Sequence, residues 1–315
     1  QMFSASGMRA AAVGNTETPL VAAIDDKTNG YEIFVVEASS FRLDRVQRFR
    51  AHAAAWLNLS PDHLDWHGDF GTYATAKSKI WETQHADDIA VAPHDDPALA
   101  PWTSNISAQL ITFGLGKGDV HCTERELIAH GERVLKVSEL RRSRPHDQLN
   151  ACAAAALALS MNASIESVAE VLAQFDGLAH RLEFVATING IHFFNDSKAT
   201  TPHATVAAIT GFEQAVLIAG GRNKNLDLFD LRRIAPKLAG VVAIGESAET
   251  LSQVFDGVVA TTVAHSMQEA IESATEIAKV SGGDVVLSPA CASFDWYQSY
   301  NERGDDFKQR VFSLE

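Results

Sequence analysis

A chain of 315 residues, 46% apolar and 21% charged, is long enough for two packed domains and resembles neither a disordered, a collagenous nor a membrane polypeptide. Its formal net charge of −14 would repel a phosphate backbone, and no Lys/Arg-rich run interleaved with aromatics offsets it, so nucleic acid is not an expected partner. Three cysteines, an odd number without a Cys-x-x-Cys pair, argue against a disulfide framework or structural zinc and fit a reducing cytoplasm.

Residues 1–6 read as the tail of a helix, and because no methionine or signal pattern opens the chain, we expect further sequence upstream. Apolar runs at 8–13, 33–36 and 53–59 predict short buried strands. Ligands of open parallel sheets bind outside the carboxyl ends of strands, which makes Asn15, Glu37 and His63 candidates by position. Helical spacing over 71–84 places Tyr73, Ala76, Lys77, Ile80 and Trp81 on neighbouring faces, and 89–92 and 110–113 read as strands. The basic cluster Arg141, Arg142 and Arg144 reads as a solvated turn. The alanine/leucine pattern over 149–161 predicts a helix whose apolar run falls far short of the roughly 20 residues needed to span a membrane, so no membrane insertion is expected.

A helix over 165–175 ends before Gly177, where we place a boundary between domains 1–177 and 178–315. Beyond it, strands at 183–188, 191–194, 215–219, 241–244, 258–263 and 284–287 alternate with helical stretches, the pattern of a doubly wound α/β domain.

Three groups of residues could carry chemistry. Glu37 is a natural oxygen ligand for Mg²⁺, an uncharged His63 a second choice, and the Lys77 ammonium no ligand at all; an ion pair for Lys77 and a capping or core role for His63 are the bland alternatives. Asn150 could read an adenine edge, Arg181 could neutralise phosphate and Asp196 could take ribose hydroxyls, although Arg181 and Asp196 could equally form a salt bridge. Lys198 and Thr200 lie in Asn195-Asp196-Ser197-Lys198-Ala199-Thr200-Thr201-Pro202, and Ser293 and Phe294 in Ser288-Pro289-Ala290-Cys291-Ala292-Ser293-Phe294-Asp295. With Lys224 in Gly220-Gly221-Arg222-Asn223-Lys224, and Tyr300 further on, these would converge at one sheet edge. Two lysines with hydroxyls can hold both carboxylates of a dicarboxylic amino acid and leave its amine free, whereas lone lysines at strand ends are otherwise surface charges.

These segments closely resemble the Mur ligases of peptidoglycan synthesis, and among them the enzymes that add D-glutamate; the match runs from Gly14 to Phe307. The resemblance implies a Mur-type central ATPase domain over 1–177, incomplete here, followed by a Rossmann-like amino-acid-binding domain. It implies ATP as co-substrate, contacted by Asn150, Arg181 and Asp196. It also implies Mg²⁺ on Glu37 and His63, with Lys77 carbamylated into an anion; Lys79 is the nearby competitor for that modification. Lys198, Thr200, Lys224, Ser293, Phe294 and Tyr300 would receive D-glutamate, and Asn15 would help hold UDP-N-acetylmuramoyl-L-alanine unless it is an ordinary turn residue.

The implied reaction is phosphorylation of the UDP-linked carboxylate to an acyl phosphate, attack by the amine, and collapse to an amide, ADP and phosphate. The resembled enzymes are cytoplasmic, work in cell-wall biogenesis, and imply a monomer when complete. Thr16-Glu17 and Asp147 depart from the family pattern, and no G-x-x-G-K-[ST] phosphate loop occurs in these residues. By itself the polypeptide is therefore expected to be nearly inactive, since losing a phosphate clamp costs several kcal/mol of transition-state stabilisation. A non-catalytic nucleotide- or amino-acid-binding descendant, and a Mur-type ligase for another amino acid, remain the other readings.

Overall fold

A computed structural model describes residues 1–15, 18–25 and 30–314. It divides into two compact units, Gln1–Ser60 with His67–Asp176, and Pro61–Trp66 with Gly177–Glu315. Thr16 and Glu17, the departures at the first turn, lie outside the described residues.

Up to Asp176 the order is α1 (Met2–Ala5), β1 (Ala10–Gly14), α2 (Leu20–Asp25), β2 (Ile33–Glu37), α3 (Ser40–Asp44), β3 (Ala53–Ala55), α4 (Leu64–His67), α5 (Phe70–Glu82), β4 (Ile89–Pro93) and α6 (Ala100–Thr103). Then come β5 (Gln109–Leu115), β6 (Val120–Cys122), β7 (Glu126–Ala129), β8 (Glu132–Lys136), α7 (Pro145–Ser160) and α8 (Ile165–Gln174). β1 and β2 form a parallel pair of their own, while β3 to β8 form one sheet in sequence order, parallel through β6 and antiparallel thereafter.

The strand expected over 53–59 stops at Ala55; the Trp56 N–H still donates to the Val91 carbonyl, its ring is buried, and its indole N–H donates to the Asn58 carbonyl at 2.9 Å. The strands β6 to β8 were not expected; each has only three to five residues, too few for a strong alternation.

Pro145 opens α7 at a position where a missing N–H costs nothing. Its alanines, including the buried Ala151, Ala155 and Ala156, lie against the sheet together with Val91, Phe113 and Leu127. Cys152 there meets Cys122 of β6 with sulfurs 3.6 Å apart, a buried thiol pair that the wide spacing in sequence concealed. On the opposite face α5 packs Tyr73, Ala74 and Trp81 against Ala54, Ala90 and Ala92. The basic cluster is a solvated turn only in part: Arg141 is exposed, but Arg142 donates to Asp147 at 2.9 Å, with both side chains largely buried. Asp147 is thus held in place at the start of α7 by a charge that the cluster supplies.

The second unit contains β9 (Glu183–Ile188), β10 (Ile191–Asn195), α9 (Pro202–Thr210), β11 (Ala215–Gly220), a 3₁₀ stretch (Leu228–Lys237), β12 (Leu238–Ile244), α10 (Ala248–Phe255), β13 (Thr261–Ala264), α11 (Met267–Ser281), β14 (Asp284–Leu287) and α12 (Tyr300–Phe312). The sheet order is β13-β12-β11-β14-β10-β9, parallel except for the edge strand β9. Alternation along β11 sends Leu217 and Ala219 toward α9, the 3₁₀ stretch and α10, and Val216 and Ile218 toward α11 and α12. Both faces are covered, so β11 is apolar throughout; burying each such leucine or isoleucine contributes about 1.5–3 kcal/mol.

That double covering positions the site. The chain leaves β10 into α9 on one face and leaves β14 toward α12 on the other, and the neighbouring strands therefore part at their carboxyl ends. Among the described residues no helix is long and apolar enough to cross a membrane.

Candidate functional site

Three strand ends build the first cluster. The segment after β10 carries Asp196, Ser197, Lys198 and Thr200, the segment after β11 carries Gly221 and Lys224, and the segment after β14 runs from Ser288 to Phe294. Gly221 has φ +125°, and a Cβ there would collide with the Ala292 carbonyl; the backbones following β11 and β14 can approach this closely only at glycine. Arg222 and Ala292 exchange N–H···O bonds of 2.9 Å across the gap.

Arg303, projecting from α12, ties the three ends together, and sequence reasoning missed it. Its guanidinium is 1% exposed. It donates to the Ser197 hydroxyl at 2.9 Å, the Ser197 carbonyl at 2.8 Å, the Cys291 carbonyl at 3.1 Å and, weakly, the Gly220 carbonyl at 3.5 Å. A planar fork is needed to reach acceptors on separate strands, a geometry that lysine cannot copy. Burial pulls the guanidinium down to about 10, so it stays charged at neutral pH. Residues 303, 307 and 311 form the buried stripe of α12, and an arginine inside that stripe was the available signal.

Behind this lies a second buried group. Asn195 donates from Nδ2 to His180 Nδ1 at 3.0 Å and accepts from the Ser197 N–H at 3.1 Å. An amide nitrogen only donates, so Nδ1 carries no proton and His180 is neutral. Burial lowers the His180 imidazole below its ordinary value, helped by Lys308 and Lys198 and only partly opposed by Asp305 and Glu183.

The expected binding residues fall around this frame. Lys198 Nζ lies 5.1 Å from the centre of the Tyr300 ring, and that ring meets His180 edge-on at 6.0 Å. Lys224 Nζ is 2.6 Å from Asp62 Oδ1, so this lysine already holds a carboxylate. Asp62 also accepts from the His63 N–H at 2.8 Å, and the imidazole lies 3.4 Å from its other oxygen. Thr200 is half-buried, Ser293 buried, and Phe294 exposed. Asp196 is buried, with its oxygens accepting from the Leu182 N–H at 3.0 Å and the Ser288 hydroxyl at 2.8 Å. Arg181 is exposed in the loop before β9.

The first unit holds a different cluster. Gly14 ends β1 with φ +107°, where a Cβ would strike the Glu37 backbone, and this close turn lets Asn15 Nδ2 donate to Glu37 Oε1 at 3.1 Å. Both side chains face solvent at the carboxyl ends of β1 and β2. On α5, capped by Asp69 accepting from the Thr72 N–H, Lys77 Nζ lies 5.4 Å from the centre of the Tyr73 ring. Lys79 is committed elsewhere, donating to the Asp44 carbonyl at 2.7 Å. Asn150 stands exposed on α7. Glu37 and Lys77 thus share one unit and His63 belongs to the other. Among the described residues no group of three or more His, Cys, Asp or Glu side chains is arranged to hold a metal.

Comparison with known proteins identifies the family. The family model for the Mur ligase middle domain matches residues 1–158, and that for the Mur ligase glutamate ligase domain matches 180–291. The chain belongs to the Mur ligase family. The UDP-N-acetylmuramoylalanine-D-glutamate ligases of Desulfosudis oleivorans and Methylococcus capsulatus are each 38% identical to it, over 99% of this chain and 70% and 68% of their own lengths. That of Pelotomaculum thermopropionicum is 37% identical over 100% of the chain and 71% of its own length. Among solved structures, MurF from Acinetobacter baumannii superposes with a TM-score of 0.71 at 19% identity, covering 98% of this chain and 73% of that one. MurF from Thermotoga maritima, in complex with ADP, gives 0.73 at 18% identity, covering 100% and 77%. These likenesses establish the Mur ligase fold of two successive α/β units, each with a mainly parallel sheet. As a Mur ligase, the chain is an ATP-dependent amide-forming enzyme.

Proposed function

We propose that this Mur ligase joins D-glutamate to the carboxylate of UDP-N-acetylmuramoyl-L-alanine at the expense of ATP, in the cytoplasmic stage of peptidoglycan synthesis. The observation that carries the reading is the strand-end cluster, where Lys198, Thr200, Lys224 and Ser293 surround one carboxyl edge braced by Arg303. Two ammonium groups and two hydroxyls suit a dicarboxylic acceptor, and the ion pair of Lys224 with Asp62 supports the reading that this lysine takes a carboxylate. The names of relatives 37–38% identical support the same choice.

Phosphoryl and acyl transfer depend on positioning and on neutralising developing charge. In this reading Lys198 and Arg181 face the anionic phosphates, Asn150 and Asp196 hold the nucleoside, and Asn15 steadies the UDP-linked substrate; Tyr300 and Phe294 border the amino acid. Glu37 and His63 would hold Mg²⁺ together with Lys77 in carbamylated form. Glu37 supplies the oxygen donor such an ion prefers, and a carbamate would turn a non-ligating ammonium into a second one. Bound magnesium would neutralise phosphate charge. Carbamylation joins the neutral Lys77 amine to the carbon of CO₂ and releases one proton to water.

The test is phosphate release by protein made from the complete natural reading frame, supplied with ATP, UDP-N-acetylmuramoyl-L-alanine and a panel of amino acids. D-glutamate alone should support rapid turnover; preference for alanine, a diamino acid or L-glutamate would overturn the assignment. Lys77→Ala should abolish turnover, with partial return on adding a short carboxylic acid, whereas full activity in that variant removes Lys77 from the mechanism.

A further inference from the structure

The first unit also contains an imidazole that the reading above leaves unused. His67, 7% exposed at the end of α4, sits between the segment that follows Glu37 and the helix that carries Lys77. Its Nε2 is 3.1 Å from the hydroxyl of Ser40, the buried first residue of α3, three positions after Glu37. Its ring stacks on Phe41 at 5.8 Å with planes 17° apart. On its other side it meets the Tyr73 ring at 5.4 Å and a tilt of 58°, and over that same ring lies Lys77 Nζ. One imidazole therefore touches α5, which carries Lys77, and α3, which begins three residues after Glu37.

We infer that His67 is a positioning residue: it fixes α3 to α5 and sets the orientation of the Tyr73 ring on which Lys77 rests. The inference depends on the proposed carbamylation of Lys77 and gives that modification a determinant. An aromatic face attracts a cation and disfavours an anion, so a Tyr73 ring held against Lys77 favours the ammonium and restrains carbamylation. The Ser40–His67 contact lies at the start of α3, and the Lys79–Asp44 contact lies at its end. The two contacts hold α3 at both of its ends. Removing the Ser40 contact loosens the imidazole and the ring packed on it, and with them the hold on the ammonium.

The experiment measures the carbamate directly, by ¹³C NMR of the full natural protein equilibrated with sub-saturating ¹³C-bicarbonate, for wild type, Lys77→Ala, His67→Phe, His67→Gln and Ser40→Ala. Wild type should show a carbamate signal that Lys77→Ala lacks. His67→Phe keeps an aromatic ring but loses Nε2, and carbamate occupancy at sub-saturating bicarbonate should rise about 3–10-fold, the range expected for one net hydrogen bond. Ser40→Ala should match it, and His67→Gln, whose amide can serve either hydrogen-bonding role, should return most of the way to the wild-type level. The KM for D-glutamate, a property assigned to the second unit, should stay within about twofold because that lost bond lies in the first unit. Wild-type occupancy in both His67→Phe and Ser40→Ala would reduce His67 to core packing and overturn this inference alone. Absence of the signal from wild type would overturn the carbamylation reading and this inference with it. If His67→Phe does not fold, Ser40→Ala decides the matter.

Discussion

At the carboxyl edge of β10, β11 and β14 the framework groups Asn195, Ser197 and Arg303 are buried and multiply hydrogen-bonded, while at the carboxyl edge of β1 and β2 the side chains of Glu37 and Asn15 stand in solvent and meet in a bond of 3.1 Å. The first edge is shaped before any ligand arrives, since its lysines project from loops that a guanidinium holds in register. The second leaves its charged groups hydrated, which suits a carboxylate whose proposed partner is a cation exchanging with water. Chemistry at one edge is therefore inseparable from folding, and at the other the two are separable. Substitutions can break or sharpen that contrast.

The largest effect is expected at Arg303. Arg303→Met leaves the Ser197 and Cys291 carbonyls and the Ser197 hydroxyl buried without their donor, at a cost of about 3 kcal/mol or more. Arg303→Lys should recover little, because a point charge cannot reach three strand ends at once. Denaturant midpoints of both variants check this; near-wild-type stability of Arg303→Lys would mean that charge rather than the fork holds the edge.

Next comes Lys224, whose ammonium contacts Asp62 and, in the proposed reaction, an acceptor carboxylate. Lys224→Ala should raise the KM for D-glutamate about 10–100-fold, the worth of one charge-assisted hydrogen bond, and that for ATP far less. Equal rises would move Lys224 out of the acceptor pocket and into the general framework.

The contrast also explains what the sequence revealed. The strands of the second unit were legible as unbroken apolar runs because both faces of that sheet are covered. Lys198, Thr200 and Lys224 were legible because strand ends in such sheets are where ligands bind. Arg303 was not, since its partners Ser197 and Gly220 lie 106 and 83 residues away and their meeting depends on strand order. His67 escaped for the same reason, as its contact with Ser40 spans 27 residues and two elements. The strands β6 to β8 were too short to impose a period, and the apolar run over 53–59 does not record where β3 stops.

A smaller effect should appear with pH. His180 is neutral in the fold, with Nδ1 accepting from Asn195, and burial holds its folded-state value below the unfolded one. Its contribution to stability is complete above the ordinary histidine value of about 6.5 and is lost as pH falls through that value toward the depressed one, where the unfolded chain binds the proton first. Unfolding free energies between neutral pH and mild acid should show this decline, and His180→Gln should flatten it. An unchanged slope in the variant would assign the decline to carboxylates elsewhere.

The smallest effect on folding is expected at Glu37, and there a null result is informative. Its carboxylate is exposed and its bond to Asn15 is a surface contact, so Glu37→Gln should shift the unfolding free energy by no more than about 0.5 kcal/mol. The same change removes a full negative charge from the proposed Mg²⁺ site, so the magnesium concentration needed for turnover should rise while the KM for D-glutamate holds. A loss of stability above about 1 kcal/mol, outside the range for an isolated surface group, would show that the turn at Gly14 leans on this carboxylate. The edge of β1 and β2 would then be part of the fold in the same sense as that of β10, β11 and β14, and function and folding would be coupled at both.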